Sequence, residues 1–424
     1  MENTENKIPN SENQDTQNSS FFSESISSSN GLEPFPKLRF LEFKNTYKKI
    51  KLNKAVERIQ RKDPTSEAPV MMLSAASGFI MQSEKYSREN AGQSLKKYIL
   101  LKKGELAYNH GASKYKPFGC CFELKEEEAR IPYVYHCFAV KENNDKSYIA
   151  RLLNNQKIDQ QLKRLISSSV RMDGLLNISY EEYTGIDLYL PSLPEQQKIA
   201  AFLSLVDVRI EKQRKLVENL KKYKRGLFLK LYNDSEKKSY KICDLGKYCA
   251  TGALSKDDID VSGKYPCILY GELFTKYGEV IKQVVSRTNV LPTYLSGTNE
   301  ILFPSSTTAD AQSLIFPSSL KIKNISLGGD LFTIKLKNEF DSDFISYLVN
   351  FEYKNTLARY AQGITIIHLH YTDIKEQVID IPNVDTQFNI SSVMRKIETT
   401  IEMNINELNS LLLMKKGFLQ KMFI

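Results

Sequence analysis

The stretch Leu190-Pro191-Ser192-Leu193-Pro194-Glu195-Gln196-Gln197-Lys198-Ile199 decides how the rest of the chain is read. Ser192 and Glu195 have capping-box spacing, and Pro194 falls in a first helical turn, where its missing N–H costs nothing. A helix is predicted to start here, and no Gly or Pro interrupts it until Gly226. Apolar residues step by alternating fours and threes through Ile199, Leu203, Val206, Ile210, Val217, Leu220, Leu227 and Leu231, the a/d seam of a coiled coil. Two polar residues, Gln213 and Lys224, break that seam.

The same helix recurs. Gly417 in Lys-Lys-Gly-Phe lies 191 residues after Gly226 in Lys-Arg-Gly-Leu. The same step carries the seam onto Ile390, Met394, Ile397, Ile401, Leu408, Leu411, Phe418 and Met422, and the two breaks onto Asn404 and Lys415. Pro191 falls on Pro382 and the capping Ser192 on Asn383. A chance heptad would not repeat its flaws in register, so the chain is an internal duplication. Gln213 and Asn404 lie near the middle of their seams, so if the two helices pair antiparallel these residues are predicted to meet, hydrogen-bond and fix the register of the pair.

The 424 residues are 41% hydrophobic and 26% charged, enough chain for two or three domains. No window has the ~18 uninterrupted apolar residues of a membrane span, and the first residues do not form a signal peptide. A soluble, cytoplasmic protein is expected. Cys120, Cys121, Cys137, Cys243, Cys249 and Cys267 follow no secreted disulfide spacing. They also lack a C-x-x-C knuckle, so buried reduced thiols are expected and no metal.

Charge is uneven. Residues 1–34 carry six acidic side chains against Lys7, a net of −5, which leaves +14 on the rest of a chain whose total is +9. These residues are Ser, Asn, Gln and Glu with few aliphatics and read as a disordered acidic tail. A basic body suits a polyanion partner.

A globular segment starts near Leu38, with strands predicted at Val70–Ser74, Tyr98–Leu101, Leu106–Asn109, Gly119–Glu123 and Tyr133–Val140. A helix from about Lys146 to Ser167 follows, then Leu175-Leu-Asn-Ile-Ser-Tyr as a strand or extended link. The second half repeats this grammar. Gly104-Glu-Leu-Ala-Tyr resembles Asn299-Glu-Ile-Leu-Phe, Asp343–Tyr360 repeats the helix, and Ile366-Ile-His-Leu-His-Tyr lies 191 residues after Leu175.

Catalytic machinery is not legible. There is no G-x-x-x-x-G-K-[ST] phosphate loop, no Gly-rich dinucleotide or methyl-donor turn, and no Asn-Pro-Pro-aromatic motif. His368 and His370 alternate on a predicted strand without a ligand set around them. Binding residues are better supplied. The loop after Leu106–Asn109 carries His110, Ser113, Lys114, Tyr115 and Lys116; its counterpart after Ile301–Phe303 carries Ser305, Ser306, Thr307, Thr308 and Gln312. Cations with an aromatic in one, hydroxyls and an amide in the other, suit phosphates and base edges. Arg88, Lys96, Lys97, Arg171, Lys276, Tyr277, Arg287 and Tyr294 extend the two surfaces.

Leu-Pro-Ser-Leu-Pro-Glu-Gln-Gln-Lys-Ile-Ala at 190–200, with a long helix ending Lys-Arg-Gly-Leu, resembles the signature of Type I restriction–modification specificity subunits. The resemblance runs from about Leu38 to Ile424. It implies an α+β fold: two globular α/β target-recognition domains separated by two long antiparallel coiled-coil helices, with an internal pseudo-two-fold repeat. On that basis residues 1–34 are the tail, 35–190 and 234–381 the two recognition domains, and 191–233 and 382–424 the two spacer helices. Such a subunit has no catalytic site. Each domain reads half of a bipartite gapped site in double-stranded DNA. Two methyltransferase subunits using S-adenosylmethionine are recruited, with motor-nuclease subunits using ATP and Mg²⁺. A helix of roughly 38 residues at ~1.5 Å each gives a ~57 Å spacer, more than one ~34 Å duplex turn. The alternatives are a coiled-coil adaptor whose modules bind proteins, and a self-sufficient nuclease, which would need an acidic metal cluster.

Overall fold

The computed structural model describes residues 22–24, 35–85, 92–113, 116–166 and 176–424. The chain forms two compact units, residues 1–212 with 408–424 and residues 213–407. Each unit therefore contains one globular module and a stretch of both long helices.

In the first unit, a four-stranded antiparallel sheet runs in the order Val56–Arg58, His136–Val140, Leu106–Asn109, Cys120–Glu123. Two antiparallel strand pairs accompany it, the hairpin Met71–Ser74 with Gly78–Met81 and the pair Ile99–Lys102 with Glu128–Ile131. Gly78 turns the hairpin at φ +76°, a left-handed value that side chains resist. The expected strand at Tyr133–Val140 is shorter, because Pro132 opens a turn closed by the Tyr135 amide on its carbonyl. The single helix expected over 146–167 is two helices, Lys146–Leu152 and Gln156–Leu165. Two asparagines make the break. The Asn154 side chain bonds both the amide and the carbonyl of Cys121, and the Asn155 side chain caps the second helix. Three residues of the expected tail, Phe22–Glu24, pair antiparallel with Leu38–Phe40, which corrects the reading of that part as disordered. The rest of residues 1–34 lies outside the described residues.

The second unit has a five-stranded sheet in the order Gly246–Ala250, Leu331–Leu336, Glu300–Pro304, Ser318–Leu320, Val280–Ile281. A three-stranded sheet accompanies it, Ser286–Thr288, Tyr265–Leu269 and Ser326–Gly328. The helix expected at Asp343–Tyr360 is present with a π-helical turn at Val349–Tyr353.

The first long helix spans Leu193–Asn233, 41 residues, and the second Val384–Lys421, 38 residues. Within the second unit, Gln213 meets Asn404 and Lys224 meets Glu398, so residue numbers rise on one helix as they fall on the other and the pair is antiparallel. The seam holds through Ile199, Leu203, Ile210 and Val217, all buried. Past Lys224 the buried positions move to Phe228 and Tyr232, leaving Leu227 and Leu231 half-buried. The reason is a change of partner: Phe228 and Tyr232 enter the core of the second module with Phe344 and Tyr347. At the other helix end, Met422 and Phe423 enter the first module's core with Tyr148 and Leu203.

Candidate nucleic-acid interface

Both modules are hung on the helices by the same bonds. Gln196 accepts from the Asp145 amide at 3.0 Å and donates to the Pro191 carbonyl at 3.0 Å. Gln387, 191 residues on, accepts from the Asp341 amide at 2.8 Å and donates to the Pro382 carbonyl at 2.9 Å. A strand pair closes each module beside the helix start, Lys48–Lys51 with Asp187–Leu190 and Lys238–Lys241 with Val378–Ile381. Asn383 caps the second helix by accepting from the Thr386 amide at 2.9 Å. Glu195 departs from the reciprocal cap its spacing predicts. Its carboxylate instead takes a two-pronged bond from Arg39, 2.8 Å on each oxygen, and a third from Tyr47.

The candidate contact residues separate into committed and available groups. In the second module, Ser306 is buried and donates to Asp330 at 2.8 Å. Ser305 gives its amide to Asp330 and its carbonyl to Leu369. Thr307 is half-buried and its hydroxyl accepts from the Ala309 amide. Thr308 and Gln312 are exposed. Asp310 lies between them, and Ser313 donates to both of its carboxylate oxygens. Lys276 is held by Glu272 at 2.6 Å and Ser286 at 2.9 Å. Arg287 donates to the carbonyls of Gly263 and Lys264, so it closes a turn.

In the first module, His110 is corrected from an interface residue to an internal one. It is buried, with one ring nitrogen 2.8 Å from the Leu176 carbonyl and the other 2.9 Å from that of Val134. Its ring stacks on His136 at 5.1 Å, in a group with Tyr108 and Tyr183. Burial pushes the His136 imidazole down to about 4. Ser113 and Lys116 close a turn on each other, and the Lys116 ammonium bonds the Asn154 carbonyl at 2.8 Å. Lys114, Tyr115 and Arg171 lie outside the described residues.

Sequence reasoning missed two ion clusters. Lys224 is buried, bonded to Glu279 at 2.9 Å and Glu398 at 3.0 Å, with the Tyr347 and Phe351 rings 5.3 and 5.4 Å away. Burial pushes the Glu398 carboxyl up. In the first unit, Asp207 binds Lys415 at 2.7 Å and Arg151 at 2.8 Å. The available signal was the 191-residue step, which relates Lys224 to Lys415 and Asp207 to Glu398.

Among the described residues, no group of three or more His, Cys, Asp or Glu side chains is placed to hold a metal ion. No helix among them is long and apolar enough to cross a membrane. Burial pushes the Cys120 and Cys267 thiols up to about 11, away from reactivity.

This architecture defines a class: two sheet-rich modules joined by a long helix, with a second long helix closing the repeat. Residues 234–413 match the model of the Type I restriction modification DNA specificity domain. The fold over most of the chain is that of a solved specificity subunit. The S subunit of a Type I restriction–modification system from M. genitalium is 14% identical, with a TM-score of 0.54 over 92% of this chain and 99% of that one. A chain from a structural study of complex assembly and conformational transition in the type I R-M system is 12% identical, with a TM-score of 0.53 over 89% of this chain and 97% of that one. No curated protein matches in sequence.

Proposed function

We propose that this chain is the DNA sequence-specificity subunit of a Type I restriction–modification complex. Each module reads one half of a bipartite, gapped site, and the helix pair sets the gap. The observation that carries this reading is the repeated suspension of two different modules from one pair of helices, by Gln196 and Gln387 in the same bonds. Equivalent mounts with unlike loops suit two readers of unlike half-sites. The match to the specificity domain over residues 234–413 supports DNA as the partner of the second module.

Chemistry is supplied by partners: methyltransferase subunits with S-adenosylmethionine, and motor-nuclease subunits with ATP and Mg²⁺. Exposed aliphatic side chains on the long helices, Leu205 at 69%, Met403 at 67% and Leu413 at 71%, suit docking of those subunits. Thr308 and Gln312 are the described candidates for direct base contact, and Lys114, Tyr115 and Arg171 remain candidates in the first module.

The test is DNA binding by the chain co-purified with its methyltransferase subunit, across a salt series. Affinity for duplex falling steeply with salt supports the reading, because each neutralised phosphate releases counterions. Binding to protein without salt-dependent binding to duplex would favour the adaptor.

A further inference from the structure

We propose that the loop from Gln362 to His368 is a second DNA-reading element of the downstream module, and that Ile364 reads its half-site by apolar contact with a thymine methyl group. This inference rests on the function proposed above and assigns it a residue.

Three observations place the loop. The strand Ile367–His368 pairs antiparallel with Ser306–Thr307, which sets the loop beside the hydroxyl and amide loop that carries Thr308 and Gln312. Its neck is closed by two backbone bonds, the Gln362 amide to the His368 carbonyl at 2.9 Å and the His368 amide to the Gln362 carbonyl at 2.7 Å. Gly363 then takes φ +129°, and a Cβ there would sit 2.0 Å from the Ile366 carbonyl oxygen. Only glycine fits, so the tip is built by the backbone rather than left to chance.

At that tip Ile364 is 100% exposed, and Ile366, two residues on, is 48% exposed. Lone surface aliphatics need no explanation. This one stands at the end of a closed, glycine-shaped projection, next to polar groups of the kind that meet base edges. Such a side chain makes no hydrogen bond to phosphate or base. In the major groove the group that matches it is the thymine C5 methyl. His368 and His370, exposed with rings parallel at 6.2 Å, flank the loop on the strand side.

The test uses the chain in complex with its methyltransferase subunit and a duplex bearing the motif that the wild-type complex methylates. Thymines of that motif are replaced singly by uracil, which lacks only the methyl. One replacement is expected to weaken wild-type binding about fourfold, the value of one buried methyl. Ile364→Ala is expected to weaken binding to the thymine duplex at least as much, and then to show no further loss with the uracil duplex, since both changes remove the same contact. Ile364→Val, which keeps both branches at Cβ, restores most of the sensitivity. Equal binding by wild type and Ile364→Ala, or additive penalties at every thymine, overturns the inference while leaving the proposed function intact. Failure of the wild-type complex to bind duplex at all overturns both.

Discussion

Lys224 and Glu398 form a buried ion pair at 3.0 Å, and Lys415 and Asp207 form its repeat-related counterpart at 2.7 Å. Lys415 lies 191 residues after Lys224, and Glu398 the same distance after Asp207. The environments differ. The Lys224 side chain is 7% exposed and shared with Glu279, whereas Lys415 and Asp207 are each 34% exposed. The repeated bridge is an anchor in the second unit and a half-exposed pair in the first.

That contrast predicts unequal losses. Lys224→Met leaves two carboxylates facing each other without their cation and is expected to cost about 3–5 kcal/mol of stability. Lys415→Met removes a half-exposed partner and is expected to cost about 1 kcal/mol or less. Urea unfolding of the two variants measures both. Equal losses would contradict the assignment of Lys224 as the anchor.

Arg39 and Glu195 make the second test. Both are buried, and their two-pronged bond ties the strand Leu38–Phe40 to the start of the first long helix. Glu195→Ala leaves the guanidinium buried and unpaired, an expected loss of about 3–5 kcal/mol. Unfolding of Glu195→Ala with no change from wild type would show that the pair does not hold this helix start.

Gln213 donates to the side-chain carbonyl of Asn404 at 2.9 Å and to its backbone carbonyl at 3.0 Å. A polar pair inside an apolar seam fixes alignment at a cost in stability. Gln213→Leu with Asn404→Leu is therefore expected to raise the thermal midpoint while allowing more than one half-site gap. A double variant with unchanged stability and one unchanged gap would refute the register role.

His136 supplies a pH test. Its imidazole titrates near about 6.5 in an unfolded chain and is pushed down to about 4 by burial. Between those values the unfolded chain takes up a proton that the folded module refuses. Stability is therefore full above about pH 6.5 and declines as pH falls toward 4, by up to about 3 kcal/mol. His136→Phe removes this term, and thermal unfolding over that window is expected to flatten. A slope identical to wild type would place the dependence elsewhere.

The long helices were legible because a heptad is a local pattern and because its polar flaws repeat at 191 residues. Leu106–Asn109 was legible to the residue for the same reason, as a short apolar run between turn formers. The break at Asn154–Asn155 was not, because it depends on Asn154 reaching the Cys121 backbone across the module. Lys224 read as a flaw in the seam because Glu279, its partner from the second module, is 55 residues away in sequence. His110 and Ser306 looked like contact residues by type and position, and only the fold places Val134, Leu176 and Asp330 beside them. Composition of a loop names candidates, and burial decides among them.

The most direct test of the central claim is the methylome of a clean host expressing this chain with its cognate methyltransferase subunit, against the methyltransferase alone. The account predicts a two-part motif with a fixed nonspecific gap, methylated only when this chain is present. A soluble complex that methylates no new motif, or a single uninterrupted one, would contradict it.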